Sequence, residues 1–258
     1  AYIVFEDLPL KDFGNRIPQL SFEIEKSLGE DDPAALENAL AAVTIIPGSG
    51  EFIYGTTKVS RDAGEGATAS ENVNNNDGVT DFSSSLDALT SAAKNLQAAS
   101  LVVAWFGDDL RAGNCTLRPG VETYDKATEP FDWRGGGAAR GEARLVSQID
   151  GRPAYGGTPA DKGVIEAIGA MKAKGLAVMF HPFILMDIPP ANARPDPYGG
   201  AEQAAYPWRG RITIGASDGT AGAASDILSF FGTADAADFT VSNGAVSYAG
   251  PAEWSFRR

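Results

Sequence analysis

The stretch Ser100-Leu-Val-Val-Ala-Trp-Phe-Gly-Asp-Asp-Leu-Arg-Ala-Gly113 decides the fold, because an unbroken apolar run leads directly into two carboxylates and a guanidinium. A run of this kind is typical of a parallel strand that is buried on both faces. Residues 83–99, directly before it, have the apolar spacing of an amphipathic helix. The pattern predicts a helix followed by a buried strand whose end carries polar side chains.

A second unit of the same design is Gly175-Leu-Ala-Val-Met-Phe-His-Pro-Phe-Ile-Leu-Met-Asp-Ile-Pro189. It follows a predicted helix over 158–174, with Thr158 as N-cap and Pro159 in the first turn. Two helix-strand units with short connections indicate parallel strands joined by right-handed crossovers. We therefore predict an α/β fold containing a partial or complete TIM-like (β/α) barrel, with an open doubly wound sheet as the alternative.

The other segments give a second set of predictions. A small β unit at 1–26 precedes the barrel domain at 27–258, and it is too small to fold alone. We also predict a helix from Asp32 to Val43, an extended segment over 51–59, a polar loop over 61–82, a helix over 221–232 and a hairpin that turns at Asn243-Gly244. Both chain ends interrupt predicted elements, so we expect a piece of a longer polypeptide.

Composition excludes several classes of protein. A net charge of −13 and an isoelectric point near 4.5 oppose sequence-independent binding to nucleic acid. Apolar stretches stay shorter than the ~20 residues of a membrane span. The single cysteine, Cys115, forms no internal disulfide. Phosphate-binding loops, dinucleotide fingerprints and Cys/His metal spacings are missing from the sequence, so we predict neither a cofactor nor a metal.

Asp108, Asp109 and Asp187 are the candidate catalytic residues, because each comes at the end of a predicted barrel strand. Glycoside hydrolysis needs two carboxyl groups that flank the scissile bond. The alternative is structural, in which each aspartate caps a loop or pairs with a nearby cation such as Arg111. The candidate substrate-binding residues are Trp105, Arg111, His181, Trp208 and Arg209. Packing is the alternative role for the tryptophans, and a place at the rim of the core is the alternative for the lone histidine.

Several longer motifs carry a resemblance. They are Phe5-Glu-Asp-Leu-Pro-Leu, Phe13-Gly-Asn-Arg-Ile-Pro-Gln-Leu-Ser-Phe-Glu23, Ile46-Pro-Gly-Ser-Gly-Glu-Phe52, Val103-Ala-Trp-Phe-Gly-Asp-Asp-Leu-Arg-Ala-Gly113, Asp150-Gly-Arg-Pro-Ala-Tyr-Gly-Gly-Thr-Pro159, Phe183-Ile-Leu-Met-Asp-Ile-Pro189 and Tyr206-Pro-Trp-Arg-Gly-Arg-Ile-Thr213. Together they resemble the large tail-hub and tail-tip proteins of gene transfer agents and related tailed phages. These motifs are spread over nearly the whole chain.

The resemblance implies a tail-hub β segment at 1–26 and a glycoside-hydrolase-like TIM barrel after it. It implies a virion tail component that is assembled in the bacterial cytoplasm, with other tail-tip and distal tail proteins as partners and a ring of copies. Cell-surface glycan or peptidoglycan would be the external target. The family barrel continues into a Gly-Ser-Glu motif whose glutamate is the natural general acid, and this motif is absent here. The sequence thus leaves three functions open: a structural tail component, a glycoside hydrolase, or a barrel that binds glycan without turnover.

Overall fold

The computed structural model describes residues 32–48, 50–209 and 211–258. The predicted β unit at 1–26 lies outside the described residues. Within them the chain forms a mixed α/β fold with several sheets and few helices, and its strands do not close into a barrel. No helix in these ranges has both the length and the apolar content to cross a membrane.

The helices are α1 Leu36–Ala39, α2 Asp81–Ala92, α3 Asp161–Ala173 and α4 Ala221–Phe231. The longer strands are β1 Ala42–Ile45, β2 Ser60–Gly64, β3 Ala67–Ser70, β4 Ala98–Gly107, β13 Ala177–Met186, β15 Phe239–Ser242 and β16 Ala245–Tyr248. Two-residue strands lie between them: β5 Leu117–Arg118, β6 Gly120–Val121, β7 Thr128–Glu129, β8 Arg134–Gly135, β9 Ala138–Ala139, β10 Arg144–Leu145, β11 Gln148–Ile149, β12 Arg152–Pro153 and β14 Trp208–Arg209.

The central sheet has the order β1-β4-β13-β14, with β5 also paired to β4. Strands β4 and β13 are parallel over ten residue pairs, from Ala177 opposite Ala98 to Met186 opposite Gly107. Strand β1 is parallel to β4 on its other side. The predicted parallel pairing of the two apolar strands is confirmed.

Both crossover helices pack on the same face of this sheet. Helix α2 leads into β4 and helix α3 leads into β13. One core cluster joins side chains of both helices to alternate residues of β4, and its members include Phe82, Leu86, Val164, Ala167, Met171, Leu101 and Val103. Within this sheet β1, β4 and β13 are thus arranged in the order in which they occur in the chain, and α2 and α3 lie on the same face.

Strand β13 differs from the prediction of burial on both faces. It pairs with β14 only at Leu185 and Met186. From Ala177 to Ile184 its second edge has no neighbouring strand among the described residues. Met179 is 60% exposed and Phe180 is 50% exposed, whereas β4 is largely buried. Strand β13 is therefore apolar but partly exposed along this edge.

The predicted helix over Asp32–Val43 is wrong for most of its length. Only Leu36–Ala39 is helical, and Ala42–Ile45 forms β1. Val43 and Ile45 alternate toward the core cluster, and this burial outweighs the helical propensity of the alanine-rich segment. The predicted polar loop over 61–82 is also corrected, because it contains the antiparallel hairpin of β2 and β3.

Helix boundaries differ from the sequence predictions by a few residues. Helix α2 begins earlier than Ser83, because Thr80 is the N-cap and accepts a hydrogen bond from the Ser83 amide. It ends at Ala92, since Ala98 and Ala99 pair in the sheet as part of β4. Thr158 does not cap α3: its hydroxyl donates to the Ala104 carbonyl instead. The predicted helix α4 and the hairpin of β15 and β16 are confirmed.

Candidate functional site

The parallel register brings two of the predicted acids to one edge of the sheet. Gly107 lies opposite Met186, and Asp108 and Asp187 follow these residues directly. The Asp187 amide continues the ladder by donating to the Gly107 carbonyl at 2.9 Å. The carboxyl ends of β4 and β13 therefore form a common acidic rim, as adjacent parallel strands require.

Arg144 joins the two acids of this rim. Its Nε lies 3.0 Å from Oδ2 of Asp187, and its Nη2 donates to the Asp187 carbonyl at 2.6 Å. Its Nη1 lies 3.7 Å from Oδ2 of Asp108. One guanidinium thus neutralises both strand ends, and no local sequence pattern pointed to it.

Asp187 is fully buried, with an exposed fraction of 0%. Its Oδ2 also accepts from the Ser147 amide at 3.0 Å, while its Oδ1 is buried without a hydrogen-bond partner in the structure. Burial, and after it the negative charge of Asp187, raise the pKa of the neighbouring Tyr155 to about 12. Tyr155 therefore stays protonated at neutral pH.

Asp108 is held by the chain that follows its strand. Its Oδ1 accepts from the Thr116 amide at 2.7 Å, and its Oδ2 accepts from the Thr116 hydroxyl at 3.0 Å. Its carbonyl accepts a hydrogen bond from Arg194. The Asp108 side chain is 22% exposed, more than that of Asp109 or Asp187, so it is the most accessible of the three predicted acids.

Asp109 forms a separate cluster with Arg111 and Gln203. Arg111 donates from Nε at 3.0 Å and from Nη2 at 2.7 Å, one bond to each carboxylate oxygen. The buried amide of Gln203 donates to Oδ1 of Asp109 at 2.8 Å. Burial raises the pKa of Asp109, but the hydrogen bonds from Arg111 and Gln203 outweigh it and hold the pKa below its usual range. The predicted binding residue Arg111 is engaged in this ion pair.

Of the other predicted binding residues, Trp105 and His181 do not lie at the rim, whereas the backbone of Trp208 pairs with Met186, the residue before Asp187. Trp105 packs against the helix-covered core, and its ring occupies the place where a Cβ at Gly136 would lie. His181 is exposed in the middle of β13, six residues before Asp187 and about 20 Å from it along the strand. The backbone of Trp208 and Arg209 forms β14, and their side chains are not among the described ones.

A second buried ion network lies after β1 and was not predicted from the sequence. Glu51, with an exposed fraction of 0%, accepts from both terminal nitrogens of Arg140 at 2.9 and 2.8 Å. Lys126 Nζ lies 3.4 Å from Oε2 of Glu51 and also pairs with Glu71 and Glu122. These contacts connect segments far apart in the chain, so local spacing gives no signal for them.

The arrangement makes each predicted acid part of an ion pair or a hydrogen-bonded loop. In glycoside hydrolysis one carboxyl donates a proton and the other attacks the sugar or activates water. Asp109 and Asp187 are buried and paired with arginine. The described residues also contain no group of three or more His, Cys, Asp or Glu that could hold a metal ion. The rim geometry is therefore suited to joining strands and loops.

No protein-family model matches the chain, and a search of the curated proteins returns no match.

Proposed function

We propose that this chain is a structural component of the tail tip of a phage or gene-transfer-agent particle. It would belong to the hub or baseplate of the virion tail and take part in tail assembly and in contact with the cell surface. The long motifs spread over the sequence support this proposal. Its partners would be other tail-tip and distal tail proteins, with further copies of itself in a ring, assembled in the bacterial cytoplasm.

We infer that the central sheet is part of a TIM-like barrel. Three observations support this inference: β1, β4 and β13 are neighbours in chain order, they are parallel, and their crossover helices share one face. An open doubly wound sheet reverses its strand order at a switch point, and these three strands show no reversal. A further strand would pair with the free edge of β13. A further helix would cover the apolar cleft of about 620 Å³ beside Trp105, Phe180 and Ile184.

The neutralised acidic rim supports a structural role over hydrolysis. The Arg144 guanidinium binds Asp187 and lies near Asp108 at the rim, and in the separate cluster Arg111 binds Asp109. A general acid needs a proton at working pH, and a low pKa at Asp109 leaves it ionised. A nucleophile or base needs access to substrate, and Asp187 has none. The pairing of the acids with arginine is the observation that carries the structural assignment.

Cell-wall release separates this proposal from the hydrolase alternative. We expect native particles that carry the full-length polypeptide to release no more dye from labelled peptidoglycan than buffer does, and Asp108→Asn in that polypeptide to leave this result unchanged. Asp108 is the right target because it is the most accessible of the three acids. Asp125→Asn is the matched control at an exposed acid. Release by the wild type that Asp108→Asn abolishes and Asp125→Asn retains would establish a hydrolase and overturn the proposal.

A further inference from the structure

A cleft of about 520 Å³ lies on the side of the molecule where the turn at 140–142 meets the hairpin of β15 and β16 and the segment 250–258. None of the predicted site residues lines it. Its principal side chains are Arg118, Tyr124, Glu142, Tyr248, Trp254 and Arg258. It therefore combines two cations, one acid and three aromatic rings in one shallow site.

Two guanidiniums converge on a single indole in this cleft. The Cζ atoms of Arg118 and Arg258 lie 5.3 and 3.8 Å from the ring centroid of Trp254. Arg258 also lies 4.2 Å from the Tyr248 ring centroid. These cation–π contacts orient both side chains.

Neither guanidinium forms an ion pair with a carboxylate in the part of the chain that the structure describes. The Nε atoms of both Arg118 and Arg258 are buried without a hydrogen-bond partner. Burial is the largest effect on Arg258 and lowers its pKa; Tyr248 and then Glu142 oppose this, and the positive charge of Arg118 adds the smallest lowering effect. Two cations that line one cleft without a carboxylate partner among the described residues are unfavourable, and an anion bound in this cleft would reduce that cost.

The nearest acid does not fill this role. Glu142 lines the cleft, but one of its carboxylate oxygens accepts from the Ala139 amide at 2.9 Å and caps the 140–142 turn. Arg118 and Arg258 thus have no carboxylate partner among the described residues, and a planar guanidinium is well suited to the two oxygens of a carboxylate.

An exposed aromatic ring stands beside the two cations. Tyr124 is 51% exposed although its hydroxyl is held, donating to the Ala143 carbonyl at 3.1 Å and accepting from the Leu145 amide at 3.3 Å. The hydroxyl is thus fixed by the fold while about half of the residue stays exposed. A flat apolar face of a sugar ring packs well on such an aromatic side chain.

We propose that this cleft binds an acidic saccharide, with the carboxylate of the sugar on Arg118 and Arg258 and the sugar ring on Tyr124. The inference rests on the proposed function, since it gives the chemistry of the cell-surface ligand that a tail tip would contact. It places the ligand outside the acidic rim. Because the chain as a whole has a net charge of −13, this local pair of cations favours short anionic segments. Added salt screens the attraction and weakens binding.

The test is a calorimetric titration of the purified chain at low salt with an oligomer of galacturonic acid. The fully methyl-esterified oligomer is the matched ligand, because it keeps the sugar rings and loses the charges. We expect the acid form to bind, and Arg118→Gln and Arg258→Gln each to weaken it at least about tenfold, the loss of one charge-assisted pair. Tyr124→Ala should weaken binding of the acid form as well, and Glu142→Gln should strengthen it.

Arg152→Gln, at an exposed arginine outside the cleft, is the control and should bind like the wild type. Circular dichroism of each variant verifies that the fold is retained. The proposal is overturned by no binding of the acid oligomer, by equal binding of its ester, or by equal binding of the Arg118 and Arg258 variants. Equal binding of a glutamate peptide would assign the site to anions in general and reject the saccharide. If the chain binds the acid oligomer but is absent from tails, the tail-tip function is refuted and the proposed binding site stands.

Discussion

Replacing Arg144 by methionine is expected to destabilise the protein by about 3 to 5 kcal/mol, because it leaves a buried carboxylate without its cation. Asp187 has an exposed fraction of 0%, and Arg144 supplies hydrogen bonds to both its Oδ2 and its carbonyl. The Ser147 amide alone would remain at the carboxylate. The free energy of unfolding from urea titration measures the loss, which is a large fraction of the total stability of a typical domain.

Two further variants distinguish a buried ion pair from simple loss of a charge. Lys174→Met removes a cation from an exposed pair with Asp87 and should cost less than about 1 kcal/mol. Asp187→Asn in the Arg144→Met background should recover part of the loss, since the uncompensated charge is then gone. A free energy of unfolding for Arg144→Met within about 1 kcal/mol of the wild type would show that the rim does not depend on this guanidinium.

The second large effect is expected for Glu51→Gln. This carboxylate is fully buried between Arg140 and Lys126 and also accepts from the Glu122 amide at 2.9 Å. An amide of the same shape removes the negative charge and points N–H donors at two cations. We expect a loss of about 3 to 5 kcal/mol in the free energy of unfolding.

Glu37→Gln is the matched control, because Glu37 is exposed in the first turn of α1, and it should change the free energy of unfolding by no more than about 0.5 kcal/mol. The double variant Glu51→Leu with Arg140→Met should be more stable than Glu51→Gln, since it removes both members of the closest pair. If Glu51→Gln and Glu37→Gln unfold at the same urea concentration, the Glu51 network contributes nothing to the fold.

The parallel pair at the centre of the fold could be predicted because its signal is local. Strands β4 and β13 are each ten residues long, apolar, and preceded by a helix with a short connection. The common edge of Asp108 and Asp187 then followed from geometry, since parallel strands end on the same side. Strand β1 was missed because four residues, Ala42–Ile45, carry too little periodicity to compete with an alanine-rich helical pattern.

The partners of the acids could not be predicted, for a physical reason. Arg144 lies 36 residues after Asp108 and 43 before Asp187, and short irregular segments carry it to the rim. The same holds for Arg140, which reaches Glu51 across 89 residues. Long-range ion pairs have no period in the sequence. The aspartates could therefore be placed from the sequence, but their neutralisation could not.

Electron microscopy of native particles decorated with an antibody against this chain tests the central claim most directly. The account predicts antibody at the end of the tail, distal to the capsid, on intact particles. Antibody on the capsid, or a chain that is found only apart from particles, would contradict the assignment to a tail tip.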